Sequence, residues 1–418
     1  MKKQLLHLCA TALLITASAC KKSITEQADS NPPIIQAVTA TAGGIDLGTT
    51  RQTIRGFGGA SVWLGALTDA HMNTLFSNGS ATQLGLSILR VRIDPAGSSA
   101  WGTELGNAQK AKARGAIVMA TPWTPPASMK SNNNVVGGVL NTSSYGAYAT
   151  YLKSFADYMS AGGASLYAIS VQNEPDITVT YESCSWNATQ LFNFVKNNAT
   201  AIGSTKVIAA ESFHFDHALT DQILNDATAA SHLSIVGGHI YGSGLTSYSL
   251  AESKGKELWM TEHLDTSTDW AGALNTAKEI SDCMTVGNFS AYLWWYLKRF
   301  YGPMDDNGNP TKRGFVMGQF SKYVRPGYQR VNATYNPNPN VYLSAYKSGT
   351  KVVIIAINMG SSTVSQPFTL GGGTVPASFT PHITSGSKSI STEASVSTSG
   401  GAFTYTLPAQ SITTFVSN

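Results

Sequence analysis

Between residues 54 and 295 the chain alternates short, mostly apolar runs with longer stretches whose apolar residues recur every three or four positions. The runs are 54–60, 87–94, 116–120, 166–171, 206–211, 235–241, 257–262 and 291–295. They have the length of strands, and a nearly unbroken apolar run is what a strand covered on both faces requires. Among the stretches between them, 145–160 brings Tyr148, Tyr151, Leu152, Phe155 and Met159 onto one face, and 191–202 and 271–284 show the same helical period. Strand and helix alternating eight times over roughly 270 residues predict an α/β fold, a closed (β/α)8 TIM barrel over residues 54–324.

After Phe320 the period becomes two. Arg325-Pro326-Gly327 and Asn336-Pro337-Asn338-Pro339 are turn clusters, and 341–346, 352–357, 365–370, 403–407 and 412–416 are short alternating runs. They predict a β-sandwich over 325–418. Residues 36–53 alternate weakly around Gly43-Gly44. With no place in the barrel, this segment is expected to add its strands to the sandwich.

The N-terminus has a different pattern. Met1-Lys2-Lys3 is charged, residues 5–15 are apolar, and Ala17-Ser18-Ala19-Cys20 ends the segment. This predicts a signal peptide over 1–19. The last four residues resemble a bacterial lipobox, with Cys20 as the lipidated residue, although Ala17 stands where such sites usually carry Leu. The expected location is the cell envelope or cell surface, held by lipid; plain secretion is the alternative. Residues 20–35, rich in Ser, Asn, Lys and Pro, read as a tether. No other stretch reaches the ~20 apolar residues of a membrane helix.

Charged residues make up 12% of the chain, about half the usual share, and 39 glycines with Ser, Thr and Asn take their place. The formal charge of +4 falls to +2 once Lys2 and Lys3 leave with a leader. No basic run is interleaved with aromatics, which argues against nucleic acid, and so small an excess implies no acidic partner. Of four cysteines, Cys9 lies in the leader and Cys20 at the anchor, and Cys184 and Cys283 are expected as two unpaired thiols. No zinc spacing is present. A monomer with no metal or organic cofactor is expected.

The candidate chemistry lies at strand ends. Ser170-Val171-Gln172-Asn173-Glu174-Pro175-Asp176 closes the fourth run, where Pro175 stops the ladder. Glu257-Leu258-Trp259-Met260-Thr261-Glu262 closes the seventh. A lone Glu-Pro is an ordinary strand-to-loop junction. Two glutamates at the C-terminal ends of barrel strands are where such barrels keep catalytic groups. Glycoside hydrolysis needs two carboxyls, one to protonate the leaving oxygen and one to attack carbon or activate water. Glu174 is expected as the acid and Glu262 as the nucleophile, with Asn173 bonding a sugar hydroxyl. Low surface charge suits an exported protein that degrades polysaccharide.

Other candidates carry weaker signals. Trp123, at the end of the third strand, reads equally as a sugar platform and as core. One of Arg90 and Arg92 must face the barrel interior, where a charge has to be paired, near Glu262. His239 and Tyr241 end the sixth strand, within reach of Glu262 or a sugar. His214 and His217 have metal-like spacing but no third ligand and read as surface residues.

The strand-end glutamates resemble those of the large clan of retaining (β/α)8 glycosidases. A narrower resemblance rests on Tyr292-Leu293-Trp294-Trp295-Tyr296-Leu297-Lys298-Arg299-Phe300-Tyr301-Gly302-Pro303, Thr311-Lys312-Arg313-Gly314, Gln319-Phe320-Ser321-Lys322-Tyr323-Val324-Arg325-Pro326-Gly327, Leu407-Pro408-Ala409-Gln410-Ser411 and Gly56-Phe57-Gly58-Gly59. Over residues 36–418 the chain resembles the glucuronoxylanases of glycoside hydrolase family 30. The resemblance implies a barrel with an attached β-sandwich built from both chain ends. It implies net retention, with Glu174 as acid/base and Glu262 as nucleophile. The implied substrate is β-1,4-xylan bearing 4-O-methylglucuronic acid branches. In the family pattern Trp-Tyr-x-x-Arg-x-Tyr the arginine grips the branch carboxylate, aided by the last tyrosine. Trp295, Tyr296, Arg299 and Tyr301 match it, and a guanidinium pairs with a carboxylate through two charge-assisted bonds. There is one departure. The family has a tyrosine two residues after the nucleophile and a serine three further on; here they are Leu264 and Ser267, in a short loop. One hydroxyl is lost, about 1 kcal/mol of net binding. Two alternatives follow: a xylanase or other family 30 glycosidase indifferent to the branch, and a non-catalytic, lipid-anchored glycan-binding protein.

Overall fold

The structure is a computed structural model that describes residues 41–242 and 245–418. The leader, Cys20 and the tether lie outside the described residues.

The first described strand, β1 (Gly43–Thr53), precedes the barrel. The barrel then runs β2 (Gly56–Ala60), α1 (Asp69–Phe76), β3 (Ile88–Arg92), α2 (Gly102–Lys112), β4 (Ile117–Thr121), α3 (Tyr145–Ala161), β5 (Ala168–Ser170) and α4 (Ala188–Asn198). It continues through β6 (Lys206–Ser212), α5 (Ala218–Asn225), α6 (Ala227–His232), β7 (Ile235–His239), α7 (Ser249–Ser253), β8 (Glu257–Glu262), α8 (Trp270–Thr285), β9 (Ala291–Tyr296) and α9 (Lys312–Ser321). Strands β2 to β9 pair in parallel, and β9 returns to β2, closing the barrel.

The lower barrel is filled by Ile88, Met119, Ala168, Ile208, Ile235, Trp259, Ala291 and Leu293. Side chains alternate along a strand, so the residue two steps on also faces inward. From Ile88, Met119 and Ala168 that step reaches Arg90, Thr121 and Ser170, all buried. An apolar floor therefore carries a polar layer at the C-terminal end of the strands. The outer faces pack on the helices, where Tyr148, Leu152, Phe155 and Met159 of α3 are fully buried, as their spacing predicts.

Three strand tips break the alternation. On β6 the pairing jumps from Ala210↔Gly237 to Ser212↔Gly238, leaving Glu211 as an extra residue. On β8 it jumps from Gly238↔Met260 to His239↔Glu262 around Thr261, and on β9 from Gly59↔Trp294 to Ala60↔Tyr296 around Trp295. A bulge shifts the phase of a strand by one residue. Glu211, Glu262 and Tyr296 would otherwise point outward to the helices; the bulges turn them to the barrel mouth.

The second sheet comprises β10 (Gln329–Ala333), β11 (Val341–Ser348), β12 (Lys351–Asn358), β13 (Val364–Gly371), β14 (Ser378–Ser385), β15 (Ser391–Thr392), β16 (Val396–Ser397), β17 (Ala402–Leu407), β18 (Ser411–Ser417) and β1. Its order is β15-β14-β18-β12-β11-β10-β1-β13-β17, with β16 on β14. β1 pairs antiparallel with β10 and parallel with β13, so both flanks of the barrel sequence build it. The sandwich is one continuous sheet folded over itself rather than two separate sheets. Phe403 near one end packs on Phe379 and Phe415 near the other, with ring centroids 5.4 Å apart in each pair. Strands β10 and β14 escape the period-two reading because polar residues and Pro381 interrupt them.

Motifs with no chemistry of their own join the two parts. Gln319 of α9 donates to Thr384 Oγ1 at 2.8 Å, and its carbonyl accepts from Thr414 Oγ1 at 3.0 Å. Trp270 Nε1, at the start of α8, donates to the Gln410 carbonyl at 2.9 Å. The sheet thus backs the two helices that follow the last two barrel loops. Cys184 and Cys283 are both buried and unpaired, and burial pushes the Cys184 thiol up to about 11. Among the described residues no helix is long and apolar enough to cross a membrane.

Candidate active site

The fourth strand ends early, and the chain from Val171 to Pro175 crosses the barrel mouth held by backbone bonds. Asn173 N–H donates to the Pro122 carbonyl and Glu174 N–H to the Glu211 carbonyl, both at 2.9 Å. Glu174 and Glu211 both sit at positive φ, +44° and +51°. Side-chain-bearing residues rarely adopt this conformation, at a cost of order 1–3 kcal/mol each, and it clusters at functional sites.

The second glutamate arrives from β8. One carboxylate oxygen of Glu174, one of Glu262 and a ring nitrogen of His239 all lie within 4.8 Å of one another. That spacing is near the ~5–5.5 Å of retaining glycosidases, well short of the ~6.5–9.5 Å that leaves room for a water in inverting ones. The trio is also a plausible donor set for a metal. However, Arg90 Nη1 already donates to Glu262 Oε2 at 2.5 Å, and His239 Nδ1 is bonded to Glu174 Oε1 at 2.9 Å. The cation of this site is a guanidinium.

Arg90 is completely buried. Besides Glu262 it reaches Asn173 Oδ1 at 2.6 Å, Glu211 Oε1 at 3.2 Å and Thr121 Oγ1 at 3.2 Å, and its guanidinium lies 4.7 Å from the Trp123 ring centre. Tyr241 O–H donates to Glu262 Oε1 at 2.9 Å. Burial and the Glu174 charge push the Glu262 carboxyl above its usual value, while His239 and Arg90 pull against them. Two donors, one of them permanently charged, favour Glu262 as the anion of the pair. Burial opposes charge on His239, yet Glu262, Glu174 and Glu211 outweigh it and raise the imidazole to about 9. Burial likewise opposes ionisation of Glu211, but Arg90 and His239 bring it down to about 2.

Above this layer opens a cleft of about 350 Å³ lined by Trp63, Trp123, Glu174, Tyr181, Phe213, Tyr241, Glu262, Leu264, Trp295 and Tyr296. Larger hollows beside β1 and beside α3 have no aromatic wall. Trp295 and Tyr296 stack at 4.5 Å; alternation already turns Trp295 inward, and the bulge on β9 brings Tyr296 beside it. Trp63, in the loop after β2, is 46% exposed and meets Trp123, Trp295 and Tyr181 at 5.4, 6.2 and 6.3 Å. Tyr181 O–H lies 3.5 Å from Glu174 Oε2.

The structure brings together Glu174, Glu262, Asn173, Tyr241, Trp123, Trp295 and Tyr296. Trp123 is only 2% exposed, and Arg90 lies over its ring, so it is a wall rather than an open platform. Ser267 lies outside the cleft, in a neighbouring hollow shared with Phe300, Tyr301 and Arg313. Its hydroxyl donates to Asp265 Oδ2 at 2.5 Å. Arg313 ties this hollow together, donating to the Ser267 carbonyl at 2.9 Å and the Tyr301 carbonyl at 2.7 Å. Arg299 is exposed, its guanidinium 5.9 Å from the ring centre of Tyr296, and has no acidic partner within 4.0 Å among the described residues. His214 is a surface residue, but His217 is not: its ring stacks on Tyr248 at 3.8 Å. Sequence reasoning missed Glu211, Trp63, Tyr181 and Phe213. Glu211 alone left a trace, as a charged residue ending an apolar run.

A family model described as glycosyl hydrolase family 59 matches residues 77–317, the greater part of the barrel. The glucuronoxylanase XynC of Bacillus subtilis (strain 168) is 42% identical over 403 residues, covering 93% of this chain and 94% of its own. A glycoside hydrolase family 30 subfamily 8 xylanase from Clostridium acetobutylicum superposes with a TM-score of 0.86 at 47% identity, over 90% of this chain and 99% of its own. A GH30 endoxylanase from Clostridium papyrosolvens C71 gives 0.84 at 43%, over 90% and 100%. These matches extend beyond the barrel into the folded sheet, and by them the chain belongs to glycoside hydrolase family 30.

Proposed function

We propose that this protein is a retaining endo-β-1,4-xylanase that cleaves glucuronoxylan at positions set by 4-O-methylglucuronic acid branches. The observation that carries the reading is the close carboxyl pair of Glu174 and Glu262 beneath an aromatic-walled cleft at the C-terminal end of the barrel. In the first step Glu262 attacks the anomeric carbon while Glu174 protonates the departing glycosidic oxygen, leaving a glycosyl ester on Glu262. In the second, Glu174 takes a proton from water, whose oxygen displaces Glu262 and regenerates both groups. Arg90 and Tyr241 hold Glu262 in line, and Trp295, Tyr296 and Trp63 offer faces to xylose rings.

Arg299 supports the branch requirement, as an exposed guanidinium beside Tyr296 at the rim, without an acidic partner within 4.0 Å among the described residues. Leu264 in the cleft wall and the engaged hydroxyl of Ser267 favour a second reading, a xylanase less strict about the branch. Mass analysis of the products tests both. Branch dependence gives glucuronoxylan products with the uronate at a fixed distance from the new reducing end and little cleavage of arabinoxylan. Equal cleavage of both polymers overturns it. We also infer export with lipid attachment at Cys20; incorporation of labelled palmitate, lost in Cys20→Ala, is the expected result.

A further inference from the structure

Glycoside hydrolysis uses two carboxyls, and this site holds three. Glu211 is completely buried, is not among the residues lining the cleft, and has no role in either step. Yet groups from four strands converge on it. Arg90 of β3 reaches Oε1 at 3.2 Å, Thr121 of β4 donates to Oε2 at 3.0 Å, Ser170 of β5 faces it, and His239 of β7 lies with Nε2 3.9 Å away. Arg90 is in turn bonded to Glu262, and His239 through Nδ1 to Glu174. Glu211 is therefore the middle of a chain of charge contacts, Glu262, Arg90, Glu211, His239, Glu174, hydrogen-bonded at every link but that between Glu211 and His239. It stands on a bulge, at positive φ, and its carbonyl anchors the Glu174 backbone.

The chain has a charge count. Arg90 and a charged His239 contribute two positive charges, and three carboxylates would contribute three negative. A buried cluster tends toward neutrality, because uncompensated charge in a low dielectric is costly. With Glu211 and Glu262 as anions, balance requires one proton on the remaining carboxyl, which is the acid of the first step. Without the Glu211 charge, the cluster balances with that proton absent. Of the other polar groups near Glu174, Tyr181 adds no charge, and Asp176 enters both counts alike, so the difference made by Glu211 stands.

We propose that Glu211 is a positioning residue whose buried carboxylate, set between Arg90 and His239, offsets their charge and so keeps the proton on the catalytic acid. This rests on the retaining-glycosidase reading above, and the test separates the two. Wild type, Glu211→Gln, Glu211→Asp and His239→Asn are assayed on glucuronoxylan and on a dinitrophenyl β-xylobioside bearing a uronate branch, whose leaving group departs without protonation. Failure of the wild type to cleave either substrate would strike down the reading itself.

Given an active wild type, Glu211→Gln should lose about 10²-fold in kcat/KM on xylan, mostly in kcat, with the alkaline limb of its pH profile moved about one unit lower. Turnover of the dinitrophenyl substrate should change less than about threefold. Glu211→Asp should recover most of the xylan activity. His239→Asn removes a positive charge, so its alkaline limb should move the opposite way, to higher pH. That arm decides the matter if Glu211→Gln does not fold. Equal losses on both substrates, an unmoved pH profile, or shifts of the same sign in the two variants would overturn the proposal.

Discussion

At the floor of the cleft Arg90, Glu211, Glu262 and His239 are buried and in charge contact across four strands, whereas at the rim Arg299 stands exposed on a loop, near the Tyr296 ring and with no acidic partner within 4.0 Å among the described residues. The floor is organised before any substrate arrives, so its contribution is available to the transition state without reorganisation. The rim gains its partner only when a charged ligand enters. Variation should accordingly act differently in the two places: changes at the floor should abolish chemistry or disturb folding, and changes at the rim should redirect which polymer is cut.

The largest effect expected is at the floor. Glu262→Gln should lower kcat by about 10⁴-fold or more while leaving the thermal melting curve near that of the wild type, read by reducing-sugar release and calorimetry. Next comes stability against pH. Glu211 titrates in the folded protein at about 2, below its ordinary 4.5, so its contribution is present above that ordinary value and lost as pH falls toward 2. His239 is raised from 6.5 to about 9, so its contribution is present below 6.5 and lost as pH rises through 9. The urea midpoint should thus be highest between about pH 4.5 and 6.5 and decline on both sides. A midpoint that stays level across that whole range would mean that the buried chain contributes nothing to folding.

The rim should show smaller and more selective changes. Arg299→Ala should reduce kcat/KM on glucuronoxylan by about 10- to 100-fold, the size of a charged hydrogen-bond pair, and spare undecorated xylooligosaccharides. A similar loss on both would make Arg299 a residue of the floor in all but position. The smallest effect is expected from Leu264→Tyr. Restoring a hydroxyl there should raise the preference for decorated over undecorated xylan by about fivefold, near 1 kcal/mol.

The same contrast governs what could be read from the residues alone. The barrel was legible because eight apolar runs, each at strand length, leave few other ways to be covered. Glu174 and Glu262 were legible because they end such runs, and the rim motif because its residues are contiguous in sequence from Trp295 to Tyr301. Glu211 also ends a run, but alternation from Ile208 turns it toward the helices. Only the pairing of β6 with β7 reveals the extra residue that turns it back. Trp63 and Tyr181 belong to irregular loops with no period, so nothing local marks their place in the cleft. The folded-over sheet was legible in its apolar strands, but not in β10 or β14, which are held mainly by neighbours distant in sequence.

The bulges on β6, β8 and β9 also bear on how this protein can diverge. Glu262 and Tyr296 face the cleft, and Glu211 the buried layer beneath it, only because one surplus residue precedes or occupies each tip. Deleting a single codon at any of these tips would swing the following side chain into the helix layer and dismantle the site. By contrast, several codons can be gained or lost between Leu264 and Asp269, because Asp269 begins α8 by accepting the Gly272 N–H at 2.8 Å regardless of what comes before it. Length variation among descendants of this chain should collect in that loop, where it alters polymer preference, and be absent from the three tips.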